Sequence, residues 1–271
     1  MAPSMTGQPS YSDILALELH GADTYVGESP PYEWGRIYGG LVIAQALRAA
    51  MHTVDSEGHR VHSLHAYFIL GGDPTEPVRY EVDRLRNGRS FSTRGVVARQ
   101  SGGAILNLSC SFQRDEEGPD VSPPVFPGDL ASPDDLERVP WGLGLDSRLE
   151  LESVDPPRHR LWVRYTDPLS DDPEDHLAAL AYMSDANAMD AVITAHPTQR
   201  GERDWNDVYM SASLDHAIWF HRPVRADEWL LFDLRPHQII GTRGLATGDV
   251  FTRDGELVAT VAQQGLVRLR G

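Results

Sequence analysis

Residues 211–221, SASLDHAIWFH, alternate with a period of two, the pattern of an extended strand. Ser211, Ser213, Asp215, Ala217, Trp219 and His221 fall on one face, and Ala212, Leu214, His216, Ile218 and Phe220 on the other. One face is apolar apart from His216, while the opposite one carries two hydroxyls and a carboxylate. Placed mid-sheet, such a strand either supplies an active site or strands polar groups in a core. Similar alternation predicts strands over 14–20, 24–26, 61–70, 78–85, 90–100 and 104–113, then over 148–153, 160–165, 229–234, 242–252 and 256–268. Asn87-Gly88 marks a hairpin, and Ser101-Gly102-Gly103 the turn after it. In two places the period becomes helical. Over 41–53, Val42, Ile43, Ala46, Leu47 and Ala50 share one broad face. The second helix, 172–194, opens on Asp172-Pro173-Glu174-Asp175: a capping acid, then proline in the first turn and acids near the positive end of the dipole.

The two halves repeat one order: strands, one long helix, then four strands. Letters recur at an offset of about 150 residues, Ser63-Leu64 with Ser213-Leu214, and Thr93-Arg94-Gly95 with Thr242-Arg243-Gly244 one residue out of step. An internal duplication accounts for this. It implies an α+β architecture in which a curved antiparallel sheet around one helix is made twice. The expected domains are 1–114 and 141–271. Between them 115–140, rich in proline and acid and without periodicity, reads as a linker.

Within the second helix one residue is out of place. At 100° per residue, Leu177, Ala178, Ala181, Tyr182, Ala188, Met189 and Val192 share an arc, and Asp185 falls in the middle of it. A carboxylate on an apolar helix face is costly unless it is hydrogen-bonded or charge-paired, and such sites are enriched for function. The first helix has no acid on its comparable face, and Gln45 sits toward its polar edge.

Composition then removes whole classes. The net charge is −16 and every one of the 24 basic residues is arginine, a balance that disfavours a nucleic-acid binder. An anionic ligand would need a local arginine patch, for which Arg84, Arg86, Arg89, Arg94 and Arg99 are the candidates. No apolar run is long enough for a membrane span, and the opening MAPSMTGQPSYSD has no secretory character, so the expected compartment is the cytoplasm. The single cysteine, Cys110, sits among apolar residues and reads as a buried, inert thiol. His59, His62 and His65 do not share one strand face, so no metal site is read from them. G-x-S-x-G, a phosphate-cradling loop and a usable dinucleotide fingerprint are all lacking, Gly142-Leu143-Gly144 failing on context, so no cofactor is expected. What remains is a carboxylate on a helix, hydroxyls on a strand, and the amides Gln263-Gln264 in the last strand.

Six blocks carry a resemblance: RIYGGLVIAQALRAA (36–50), VHSLHAYFILGGDP (61–74), RLRNGRSFSTRGVVARQ (84–100), SFQ (111–113), SLDHAIWFHRP (213–223) and DGELVATVAQQGLVR (254–268). Together they resemble the acyl-CoA thioesterase II family. The resemblance implies two fused hot-dog domains and hydrolysis of fatty acyl-CoA to free acid and CoA. It also implies a catalytic set of Asp185, Ser213 and Gln263, with Asp185 as general base toward a water that Ser213 and Gln263 hold. Backbone amides around Gly39 and Gly40 are candidates for the oxyanion, and Arg86 and Arg94 for substrate contact. Gln264 stands where the family usually has glutamate, and Leu41 where glutamine is common. In the first half Ser63 is expected to hold the place of Ser213, with no acid opposite. The rival readings are a covalent route through Ser213, a hot-dog enoyl-CoA hydratase built on Asp215-His216, and a non-catalytic acyl-CoA binder. A homo-oligomer is compatible with such a fold.

Overall fold

A computed structural model describes residues 10–54, 58–128, 130–139, 144–198, 201, 203 and 205–270. Residues 1–9, and Gly142 and Leu143 of the glycine-containing run, lie outside that set. The described residues open with a helical turn, and the strand expected from residue 14 begins at Leu17. Ser10 and Asp13 form a reciprocal capping box that winds Tyr11–Ile14 (α1) before β1 (Leu17–Gly21) begins. The first half continues with β2 (Thr24–Gly27), α2 (Gly39–Met51), β3 (His59–Phe68), β4 (Val78–Asn87), β5 (Phe91–Gln100) and β6 (Gly103–Arg114). In the second half come β7 (Arg138–Val139), β8 (Leu145–Val154), β9 (Pro157–Tyr165), α3 (Pro173–Ser184), α4 (Ala188–Thr194) and α5 (Trp205–Val208). Then follow β10 (Tyr209–Phe220), β11 (Leu230–Ile240), β12 (Arg243–Thr252) and β13 (Leu257–Leu269). β11 outruns its expected end at 234 because a register shift between Pro236 and Gln238 accommodates a residue with no N–H to give the ladder.

The strands form one sheet in the order β1-β2-β4-β5-β6-β3-β10-β13-β12-β11-β9-β8-β7. Neighbours pair antiparallel, and β3 meets β10 at the centre, with Trp219 opposite Ser63 and Asp215 opposite Tyr67. Outward from that pair, the two sides run in matching order. The register also corrects the letter matches between halves. A bulge follows Val61 in the β3–β6 ladder and Ser213 in the β10–β13 ladder. Beyond the bulges, Leu64 faces Cys110 as His216 faces Gln263, while Arg94 faces Cys110 as Ala246 faces Gln263. The counterpart of Ser213 is therefore Val61 and not Ser63, and Gln263 has Cys110 as its counterpart. Short letter identities slipped by two residues because a bulge leaves no trace in composition.

α2 packs against β2 to β6 and against α3, and α4 against β8, β9 and β11 to β13. Leu41, Ile43, Ala44, Ala46, Leu47, Ala49 and Ala50 of α2 are completely buried. Gln45, expected at a polar edge, is buried too. Its Nε2 donates to the Ile14 and Glu28 carbonyls (2.6 and 2.9 Å), and its Oε1 accepts from the Tyr80 hydroxyl (2.6 Å), so the amide is satisfied inside the core. The stretch read as a linker also has a task. Phe126, Leu130 and Leu136 cover Trp162, Trp229, Leu231, Phe251 and Leu257, a second apolar cluster separate from the main core. Among the described residues no helix is long and apolar enough to cross a membrane.

Candidate active site

The helix expected over 172–194 is broken. α3 ends at Ser184, Asp185 is its C-cap, and α4 starts after Asn187, whose φ of −128° leaves the helical region. The Ala186 N–H bonds back to the Met183 carbonyl (3.2 Å), a tight last turn. Asp185 thus stands at a helix end instead of on a helix face. The start of α2 abuts it. A Cβ on Gly40 would lie 2.3 Å from the Tyr182 carbonyl oxygen and 2.6 Å from the Tyr38 ring; one on Gly39 would lie 2.7 Å from Asp185 Oδ2. Only glycines allow this approach. The Tyr38 hydroxyl seals it by donating to the Tyr182 carbonyl (2.8 Å), and the Gly40 N–H donates to the Asp185 carboxylate. The carboxylate therefore sits at the positive end of α2.

Strict alternation puts Ser213 and His216 on opposite faces of β10. The register shift between Ser213 and Asp215 overturns that, because the extra residue, Leu214, turns Ser213 to the His216 side. Gln263 stands opposite His216 on β13. Its Nε2 donates to Ser213 Oγ (2.8 Å) and to the Asp185 carboxylate, and the Ser213 hydroxyl points to Asp185 Oδ1 at 3.4 Å. His216 Nδ1 lies 2.6 Å from Gln263 Oε1, and Nε2 lies 2.9 Å from Ser184 Oγ. The three residues picked out from the sequence converge. So do two more, Ser184 and His216.

Burial pushes the Asp185 carboxyl above the ordinary carboxylate range, against the opposing pull of the His216 ring, the Gln263 amide, the Gly40 N–H and the Ser213 hydroxyl. Burial also pushes the His216 ring down, toward its neutral form. A carboxylate so placed is a stronger base than one in water. Asp215 makes no dyad with its neighbour: it is partly exposed, and both ring nitrogens of His216 are taken by Gln263 and Ser184. The acid–histidine pair needed by a hydratase reading is not formed.

Asp185 and Ser213 open onto a cavity of about 980 Å³, with Gly39, Tyr38, Arg36 and Asn187 at the same surface and Ile37, Val42, Ile105, Leu161 and Ile193 among its apolar walls. Gln263 stays behind, almost fully buried. Asn187, two residues beyond Asp185, keeps a buried Nδ2 with no partner among the described residues. Met189 closes over the Gly265 backbone, where a Cβ would lie 2.1 Å from its sulfur.

The arginine patch does not assemble. Arg84 pairs with Asp23 and Arg99 with Glu81, while Arg86 is exposed, and none of these lines the cavity. Arg94 is buried, donating to Thr53 Oγ1 (2.7 Å), the Thr53 carbonyl (2.9 Å), Asn87 Oδ1 (2.7 Å) and the Arg86 carbonyl (2.9 Å). It cannot meet a substrate. Its guanidinium occupies the first half's counterpart of the Gln263 region, at the negative end of α2, so that region is a packed ion site with Cys110 and Val61 where the second half has Gln263 and Ser213. Burial holds the Cys110 thiol up at about 12, inert as expected. Among the described residues, the arginine that does reach the cavity is Arg36, whose Nη2 donates to the Ser211 carbonyl (3.2 Å). Nothing in its local sequence set it apart from 23 others.

Residues 29–113 match the acyl-CoA thioesterase N-terminal domain and residues 116–267 the acyl-CoA thioesterase C-terminal domain. The chain belongs to the acyl-CoA thioesterase family. It is 33% identical to human acyl-coenzyme A thioesterase 8, over 95% of this chain and 88% of that one. Identity to acyl-CoA thioesterase 2 of Haemophilus influenzae is also 33%, over 95% and 99% of the two chains. The crystal structure of an acyl-CoA thioesterase II from Mycobacterium marinum, 37% identical, superposes with a TM-score of 0.82 over 96% of this chain and 98% of that one. A hot-dog protein of Alicyclobacillus acidocaldarius, 22% identical, shares the fold at a TM-score of 0.78 over 96% and 98%. The family read from the six sequence blocks is thus confirmed, and the architecture is an α+β hot-dog fold.

For a thioesterase with this asymmetry, Arg94→Met should act on stability alone. It removes a buried cation and leaves the Thr53 carbonyl and Asn87 without a donor, at a cost of about 3 kcal/mol in urea unfolding. The kcat/KM of the folded enzyme should change less than about twofold.

Proposed function

We propose that the protein hydrolyses fatty acyl-CoA thioesters to free acid and CoA by direct attack of a water activated at Asp185. The observation that carries this is the union of a buried, anion-holding network with an apolar cavity at one point. Asp185 takes a proton from a water that Ser213 helps to orient, and the hydroxide adds to the thioester carbonyl. Collapse of the tetrahedral intermediate breaks the C–S bond, and the proton held by Asp185 passes to the departing thiolate. Gly40 has given its N–H to Asp185, so the remaining N–H at the start of α2, that of Gly39, is our candidate for the oxyanion, joined by the Asn187 amide. Gln263 acts from behind, fixing Ser213 and Asp185. The Ser213 oxygen already accepts a hydrogen bond from Gln263, which ties up a lone pair and weakens it as a nucleophile.

The two halves fit two fused hot-dog domains, the first ending near 114 and the second starting near 141, with the intervening segment as a strap. The acyl chain follows the apolar wall of the cavity. We assign the reaction to the cytoplasm, on the single buried thiol, and a homo-oligomer, which sedimentation velocity checks, is compatible with the fold.

Thiol release from acyl-CoAs of graded chain length tests the activity, and mass spectrometry of the rapidly quenched enzyme tests the route. An acyl group on the Ser213 peptide would replace the water mechanism with a covalent one. Arg36 makes a separate prediction. Arg36→Ala should raise KM for acyl-CoA about tenfold and leave kcat nearly unchanged, because a cation at the cavity mouth binds ground and transition states alike. Arg86→Ala should leave both constants unchanged.

A further inference from the structure

Resting on that site assignment, we propose that His216 is a positioning residue for the thioesterase reaction: its Nδ1–H holds the Gln263 carboxamide in the one orientation that serves Ser213 and Asp185. A carboxamide can turn over by 180°, exchanging its oxygen and nitrogen with almost no change in shape. In the wrong orientation Gln263 would present Oε1 to the Asp185 carboxylate, acceptor against acceptor, and the Ser213 bond would be lost. Nothing in the shape of the site forbids this. What forbids it is the group on the other side of the amide.

That group is His216, almost fully buried and 2.6 Å from Gln263 Oε1. Since Nε2 of Gln263 must face the carboxylate, Oε1 faces the ring, and an acceptor there requires a proton on Nδ1. The ring is fixed in turn. Ser184 Oγ stands 2.9 Å from Nε2 and 2.9 Å from the Ala181 carbonyl in the last turn of α3, and its single proton can serve only one of these two acceptors. Because Gln263 Oε1 can only accept, the ring proton lies on Nδ1; a neutral ring then leaves Nε2 an acceptor, and the Ser184 proton turns from the Ala181 carbonyl to Nε2. Burial, which disfavours the imidazolium, supports the neutral ring. A line of donors then runs Ser184, His216, Gln263, Ser213, Asp185, and it begins and ends at adjacent residues of one helix terminus. Leu64, the first-half counterpart of His216, faces Cys110, so at these two positions the first half has neither amide nor orienter.

Two substitutions separate this role from packing. In His216→Asn the side-chain amide nitrogen occupies the place of Nδ1 and still donates to Gln263. In His216→Gln it occupies the place of Nε2 and satisfies Ser184 alone. His216→Gln should lose about 10²-fold in kcat with KM changed less than threefold, and His216→Asn should recover at least tenfold of that loss. Melting temperatures identify any variant that fails through folding. The ¹⁵N spectrum of the wild-type ring, assigned by its loss in whichever of the two variants keeps the wild-type fold, should show Nδ1 protonated and Nε2 bare. Equal activity in the two variants, or a ring protonated at Nε2, would overturn the proposal. Asp185→Asn runs alongside: full activity in that variant would bring down the site assignment itself, whereas an inactive Asp185→Asn beside an unimpaired His216→Gln refutes only the role of His216.

Discussion

Asp185→Asn should abolish nearly all thioester hydrolysis while leaving the protein at least as stable as the wild type. The substitution keeps size and shape and removes the only carboxylate of the network, so kcat should fall by about 10³-fold or more with little change in KM. Stability moves the other way because the native state raises the pKa of this carboxyl. Between its ordinary value of 3.8 and the higher folded value, the native protein holds a proton that the unfolded chain has lost. Stability therefore declines as pH climbs through that window, and above it the protein carries the full cost of an ionised Asp185. Asparagine removes the cost, so the variant's melting temperature at neutral pH should equal or exceed that of the wild type. Activity has the opposite pH dependence. The base we propose must be ionised, so the acid limb of kcat/KM should lie above the ordinary carboxylate range and should vanish with the residual activity of the variant. A clear drop in melting temperature at neutral pH would show that the carboxylate stabilises the fold, contrary to this account.

Gly40→Ala should be damaging in both respects. Taken by helix propensity alone, alanine in the first turn of α2 would gain about 1 kcal/mol. The neighbours decide otherwise. The new methyl would press within 2.3 Å of a backbone carbonyl, that of Tyr182, which cannot rotate away. Overpacking of this kind costs about 1–3 kcal/mol, and the relief available is to part α2 from the end of α3. Parting them draws the Gly40 N–H off the Asp185 carboxylate, and a shift of about 1 Å at a catalytic group is enough for a loss near 10²-fold in kcat/KM. Urea unfolding and thiol-release kinetics on one preparation check both effects. At Gly39 the obstacles are side chains, Asp185 Oδ2 and the Phe68 ring, so Gly39→Ala should cost activity more than stability. A Gly40→Ala enzyme with wild-type stability would mean the two helices have slack that the contacts deny.

The sequence and the structure part company at identifiable residues. Asp185 was legible because a carboxylate among Ala181, Tyr182, Ala188 and Met189 breaks the helical pattern, yet the same pattern concealed the break at Ala186 and Asn187. Ser213 and Gln263 were legible through the family blocks, since one hydroxyl and one amide in alternating strands carry little signal by themselves. His216 was visible as the single polar residue on an apolar strand face, but no spacing linked it to Gln263, 47 positions away. Arg94 and Arg36 went astray for one reason: charge is read from composition, and whether a guanidinium is buried on Thr53 or placed at a cavity mouth depends on strands distant in sequence.

By itself, the sequence determined the strand and helix periods, the repeat of one order in two halves and the family, and it singled out the acid, the hydroxyl and the amide that we propose as the catalytic set. The periods, the repeat and the misplaced acid rest on local side-chain type and spacing, whereas the family and the hydroxyl and amide rest on the resemblance of whole blocks. Tertiary structure decided the rest. The bulge at Leu214 reversed the face of Ser213, and the glycine contact between α2 and α3 brought the Gly40 N–H to Asp185. Register across the sheet replaced Ser63 by Val61 as the counterpart of Ser213. A one-residue bulge and a close helix approach change which atoms meet while leaving the hydrophobic pattern intact, so only the paired strands and packed helices could reveal them.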